Sequence, residues 1–166
     1  MPEETAPPVA PAVGAPAPAF TLPTSKGGDV NLEDLRGKWV VLYFYPKDDT
    51  PGCTIEACQF RDQSSVLEAA GTVILGVSRD PIKSHLKFAG KFNLPFDLLA
   101  DTEHTVADAY GSWGPKVVMG NHVIGMIRTT TLIDPEGRIA RHWAKVTPDG
   151  HAREVLEAIT EISAKR

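Results

Sequence analysis

The chain has 166 residues, with 17 Lys and Arg against 21 Asp and Glu and a net charge of −4. It has no Lys/Arg-rich run, which argues against a nucleic-acid partner or a membrane surface, and no apolar stretch approaches the length of a bilayer span. The length fits one domain with a real core, and two cysteines five positions apart, Cys53 and Cys58, are not a secreted disulfide framework.

Residues 1–16 are rich in proline and alanine and are expected to stay extended or disordered, with the folded domain over 17–166. No signal-peptide pattern of positive charge before an apolar run is seen, so the expected location is the cytoplasm. Phe20 to Leu22 reads as a short edge strand, Gly27-Gly28-Asp29 as a turn, and Asn31 to Leu35 as one capped helical turn that ends at Gly37. Val40 to Tyr45 is a continuous run of aliphatic and aromatic residues and predicts a fully buried strand. Thr72 to Val77 predicts the next buried strand, and Pro81 to Phe92 a helix with Ile82, His85, Leu86 and Ala89 on one face. Phe96 to Ala100 follows as a strand and Thr105 to Tyr110 as a short helix ended by Gly111. Ser112 to Gly125 fits no single pattern. Arg128 to Ile133 and Arg138 to Trp143 flank Asp134-Pro135-Glu136-Gly137 as an antiparallel hairpin, and a last helix spans about His151 to Ser163. This order predicts an α/β fold with a central mixed sheet covered by helices on both faces.

The chemistry is expected between Trp39 and Asp62, which holds both cysteines. Pro46 ends the strand and Lys47 to Asp49 form a polar loop. Thr50-Pro51 then opens a helix, with a hydroxyl at the N-cap and proline at the first helical position. Cys53 falls at the third helical position, where unpaired backbone N–H groups and the positive end of the helix dipole favour a thiolate. Five helical residues rise about 7.5 Å and turn by roughly 140°, which points Cys58 elsewhere and beyond the ~7 Å Cα limit for a disulfide. If the two cysteines bond, the first turns must unwind.

Pro46-Lys47-Asp48-Asp49-Thr50-Pro51-Gly52-Cys53 resembles the Pro-x-x-x-Thr-x-x-Cys motif of the peroxiredoxins. The continuation to Cys58 is similar to their bacterioferritin comigratory protein, or peroxiredoxin Q, branch. The resemblance runs from about Ala17 to Ile162. It implies a thioredoxin-like fold and a thiol-dependent peroxidase that reduces hydrogen peroxide and organic hydroperoxides without metal or other cofactor. Cys53 would be the peroxidatic cysteine and Cys58 the resolving one. A thioredoxin or similar dithiol protein would recycle the enzyme, which is expected to be monomeric. By the same resemblance Thr50 bonds peroxide and sulfur, Pro46 shields the site from water, and Arg128 lies beside the thiolate. Glu56, one turn after Cys53, is a candidate to orient Arg128 by a salt bridge, alongside the plainer reading of a solvated first-turn glutamate. Two positions depart from the family pattern: Thr131 stands where an aromatic residue is expected, and Ala19 where relatives often carry aspartate.

An ordinary thiol with pKa ~8.5 is about 3% thiolate at pH 7, and lowering that value to ~6 gains only roughly 30-fold. The site must therefore also hold the peroxide in line with the sulfur and stabilise charge on the leaving oxygen. Two rival readings are a thioredoxin-like disulfide reductase, which the four residues between the cysteines disfavour against Cys-x-x-Cys, and a peroxide sensor that is oxidised once without turnover. The five histidines, His85, His104, His122, His142 and His151, show no spacing for a zinc site.

Overall fold

The computed structural model describes residues 8–166. Nine strands and four helices follow in order: β1 (Thr21–Pro23), β2 (Asp29–Asn31), β3 (Trp39–Phe44), α1 (Pro51–Ala69), β4 (Thr72–Ser78), α2 (Ile82–Phe92), β5 (Asp97–Ala100), α3 (Thr105–Ala109), β6 (Trp113–Val118), β7 (Asn121–Met126), β8 (Thr129–Ile133), β9 (Ile139–Trp143) and α4 (His151–Ala164). A 3₁₀ turn at Leu32–Leu35 stands where the capped helical turn was expected, and the Asn31 side chain accepts from the Glu33 N–H.

The main sheet has the order β5-β4-β3-β8-β9. β3 runs parallel to β4 and antiparallel to β8, so the sheet is mixed, as expected. Every residue of β3 is buried. A central strand covered on both faces has no polar side to show, which is why its sequence is an unbroken apolar run. Alternation along β3 divides the core in two. Val41 and Tyr43 pack with Ala57, Phe60 and Leu67 of α1, Phe88 of α2, and Val155 and Ile159 of α4. Val40, Leu42 and Phe44 pack on the opposite face with Phe20, Leu32, Val106 and Tyr110. At Gly76 on β4 a Cβ would lie 2.9 Å from the Tyr43 ring, so glycine is what lets that ring settle under α1.

Three local outcomes differ from expectation. In α2 the inward stripe is His85 and Phe88, with Leu86 55% exposed, because the helix starts at Ile82 and its buried face runs through 85, 88 and 89. The unassigned 112–125 segment is a hairpin, β6 paired with β7. Its turn places Met119 at φ 51° and Gly120 at φ 83°, the pair of positive values that a tight twisted hairpin requires. The proline-rich start is docked where it is described: Gly14 donates to the Ile139 carbonyl at 2.8 Å and Ile139 to the Ala15 carbonyl at 2.9 Å. The segment, which turns through an Ala15 N–H to Ala12 carbonyl bond of 3.0 Å, thus covers part of the β9 edge. Residues 1–7 of the expected tail lie outside the described residues. Among the described residues, no helix is long and apolar enough to cross a membrane.

Candidate active site

Strand β3 ends under the α1 start, and the chain crosses from one to the other through Tyr45 to Thr50. Pro51 occupies the first helical position and Cys53 the third, as the sequence predicts. The Thr50 hydroxyl corrects one expectation: it makes no capping bond to the helix and donates instead to the Lys47 carbonyl at 2.9 Å. Proline at the helix start has already removed one backbone donor, and the threonine oxygen closes the preceding turn. Pro46 and Thr50 are both half-buried.

Cys53 is 1% exposed. Arg128, immediately before β8, extends its guanidinium over the α1 start. Its Nη2 donates to Cys53 Sγ at 3.3 Å and its Nη1 to Glu56 Oε1 at 2.7 Å. The structure therefore brings together three of the six expected residues, Cys53, Glu56 and Arg128, across 75 positions of sequence. Between the two readings of Glu56 it favours the pairing one, because the Glu56 side chain is fully buried rather than solvated. Arg128 loses part of its hydration by burial, which by itself lowers its pKa, but Glu56 and Cys53 outweigh this and hold it above its ordinary value. The guanidinium is a permanent cation with a planar fork, able to serve sulfur and carboxylate at once.

Burial pushes the Glu56 carboxyl up to about 7, against the opposing pull of Arg128. Only one of its oxygens meets the guanidinium, and Oε2 has no hydrogen-bond partner among the described residues. Because the folded value lies above the unfolded one, the native state holds the extra proton between pH ~4.5 and ~7, and the contribution to stability falls as pH rises through that window. Glu56→Gln should remove this component. Urea melts from pH 4.5 to 7.5 should show wild type losing about 1–3 kcal/mol relative to the variant over the interval.

Two neighbours escaped the sequence reading. A Cβ on Gly52 would come within 3.2 Å of Arg128 Nη2 and 3.4 Å of Pro148 Cγ, so a bare backbone leaves room for the guanidinium. Its place directly before Cys53 in the motif was the available signal. Lys116 on β6 donates to the Met126 carbonyl. Burial and then Arg128 lower its pKa while Cys53 opposes them, which places a second cation in the surroundings of the sulfur. It lies in the segment whose pattern was unassigned.

Cys58 is half-buried and, like Cys53, a free thiol, with α1 intact between them. The departure at Thr131 has a local account: its side chain is buried in β8 and shares a 2.9 Å hydrogen bond with Nδ1 of His142, its partner across β9.

A cysteine buried at a helix start with a guanidinium on its sulfur defines a site for nucleophilic thiol chemistry, and comparison with known proteins narrows the class. The pattern of the AhpC/TSA family matches residues 13–142. A putative peroxiredoxin bcp of Coxiella burnetii is 55% identical over 144 residues, 87% of this chain and 95% of that protein. Peroxiredoxin Bcp of Bacillus subtilis is 46% identical, across 92% of this chain and 98% of its own. A structure of Xanthomonas campestris peroxiredoxin Q, 38% identical, superposes with a TM-score of 0.83 over 94% of this chain and 98% of that one. The fold is thioredoxin-like. The chain belongs to the AhpC/TSA family, among its peroxiredoxins, and is a thiol peroxidase.

Proposed function

We propose that the protein reduces hydrogen peroxide and small organic hydroperoxides through Cys53, is resolved by Cys58, and is recycled by thioredoxin or a similar dithiol protein. The observation that carries this reading is the 3.3 Å contact of Arg128 Nη2 with Cys53 Sγ at a helix start, with Cys58 five residues along the same helix. A related protein, the bacterioferritin comigratory protein of Xanthomonas campestris, is known for alkyl peroxide reduction activity and is 39% identical, with a TM-score of 0.81.

In the first step the Cys53 thiolate attacks one peroxide oxygen. The S–O bond forms as the O–O bond breaks, and the departing oxygen takes a proton and leaves as water or alcohol. Arg128 has donors for the charge that develops on oxygen, beside a buried sulfur. Thr50 supplies a further hydroxyl and Pro46 shields the approach. Sulfur is oxidised by two electrons to sulfenic acid. In the second step the first turns of α1 unwind and the Cys58 thiolate attacks the sulfenic sulfur, so that the S–S bond forms and water leaves. A thiolate of the external dithiol then attacks this disulfide, and its second thiol completes the exchange.

Residues 17–166 form the catalytic domain in this reading. The protein acts as a monomer in the cytoplasm, and no nucleic acid or membrane takes part. The test is steady-state peroxide consumption with thioredoxin, thioredoxin reductase and NADPH. Cys58→Ser should consume one equivalent of peroxide at the wild-type rate and then fail to turn over. Sustained turnover in that variant would remove Cys58 from the cycle, and a wild type that reacts once and stops would favour a sensor.

A further inference from the structure

The loop between β3 and α1 is anchored from beneath by a buried polar cluster that the peroxide chemistry does not use. Asp48 is 7% exposed and His85 on α2 is fully buried. Asp48 Oδ1 accepts from the Tyr45 hydroxyl at 2.5 Å, and Oδ2 meets Ser84 Oγ and His85 Nδ1, both at 2.7 Å. The Asp48 N–H donates to Asp80 Oδ2 at 2.8 Å, and the same oxygen accepts from Ser78 Oγ at 2.7 Å. His85 Nε2 lies 2.9 Å from the Leu99 carbonyl, an oxygen that only accepts, so Nε2 carries a hydrogen. The imidazole therefore bridges β5 and the loop, and Asp48 is held by α2, by the end of β4 and by Tyr45 just past β3.

One residue further on the character of the chain changes. Asp49 has φ 55°, a left-handed conformation costly for a residue other than glycine, and its side chain has an exposed partner, Lys91 Nζ at 2.8 Å. Thr50 then leads into the helix. Asp48 inside and the Asp49–Lys91 pair at the surface thus tie the loop to α2, and α1 begins two residues further on at Pro51.

We propose that Asp48 and His85 are positioning residues that clamp the β3–α1 loop and set how readily the first turns of α1 unwind. They thereby govern the resolving step and leave the peroxide step nearly unchanged. The inference rests on the resolving role assigned to Cys58. While the clamp holds, Cys53 stays under Arg128 and cannot meet Cys58. Each bond removed from the clamp lowers the cost of opening, so the sulfenic acid passes sooner to disulfide and less of it meets a second peroxide to become sulfinic acid.

The test compares wild type with His85→Gln and with the milder Ser84→Ala, which deletes a single bond to Asp48. Amide hydrogen exchange of residues 51–58 in the reduced protein reads the hold on α1 independently of Cys58. Rapid mixing with peroxide, followed by acid quench and mass spectrometry, reads sulfenic acid and disulfide formation separately. Exchange should quicken by roughly tenfold in His85→Gln and about threefold in Ser84→Ala, as expected for losing one or two net hydrogen bonds. Disulfide formation should quicken in proportion, the sulfinic fraction at excess peroxide should fall, and the peroxide step should stay within about twofold. A cluster that only stabilises the fold would lower the melting temperature without moving the ratio of the two rates, and that outcome overturns the proposal. So does unchanged exchange. Quickened exchange in the variants beside a wild type that forms no Cys53–Cys58 disulfide overturns the role of Cys58 and the regulatory part of the proposal with it.

Discussion

Cys53→Ser should abolish peroxide reduction, lowering the second-order rate on the order of 10⁴-fold or more, as loss of a covalent nucleophile does in other enzymes. A serine hydroxyl in the same seat has nearly the same volume but remains protonated, so a weakly nucleophilic neutral oxygen replaces the thiolate. The fold should survive, because the sulfur touches a guanidinium that a hydroxyl can also meet, and the expected stability cost is about 1–2 kcal/mol for placing a polar group in this buried position. Stopped-flow kinetics with hydrogen peroxide, beside a urea melt of the same preparation, checks both parts. A variant that still consumes peroxide at the wild-type rate would place the nucleophile elsewhere.

Arg128→Met should cost roughly 10²–10³-fold in the same rate constant, the range seen when an oriented donor is removed from a developing oxyanion. Methionine keeps some of the side-chain bulk but offers the leaving oxygen nothing. The substitution also strands Glu56, fully buried and bonded to Arg128 through Oε1. Breaking a buried pair on one side costs about 3–5 kcal/mol when the remaining group stays charged, and less where it can take up a proton. Glu56, already pushed up to about 7 by burial, can do so. The double variant Arg128→Met with Glu56→Gln separates the two effects. It should recover most of the lost stability and none of the lost rate. Arg128→Lys should fall between, since an ammonium keeps the charge but not the planar fork that reaches sulfur and carboxylate together.

The parts of the fold that were legible in the sequence were those with strong local rules. The β3 run, the Thr-Pro start of α1, the Asp134–Gly137 turn and the last helix, α4, each follow a local rule, and each lies within a residue or two of its expected place. The β6–β7 hairpin was not legible because Gly114, Pro115 and Gly125 interrupt its alternation and its turn, Met119-Gly120, lacks the usual polar residue. The site divides in the same way. Cys53 is marked by its position in a helix start, and Cys58 by its spacing, both local features. That Glu56 would be buried rather than solvated depends on Arg128 arriving from 72 positions away, which no periodicity reports. The Thr50 hydroxyl was misplaced for a related reason: a capping residue and a turn-closing residue have the same sequence signature, and only the backbone path of Lys47 to Thr50 decides between them. His85 shows the limit most plainly. On α2 it reads as one member of an inward face, and the pairing with Asp48 that makes its burial tolerable is invisible until β5, α2 and the β3–α1 loop are brought together.

The most direct measurement of the central claim is intact mass and thiol content of the reduced wild type after one equivalent of hydrogen peroxide, followed by peptide mapping. The account predicts a monomeric product lighter by two hydrogens, with no free thiol and a single peptide cross-link joining Cys53 to Cys58. A product that gains oxygen at Cys53 while Cys58 stays free, or one joined between two chains, would contradict it.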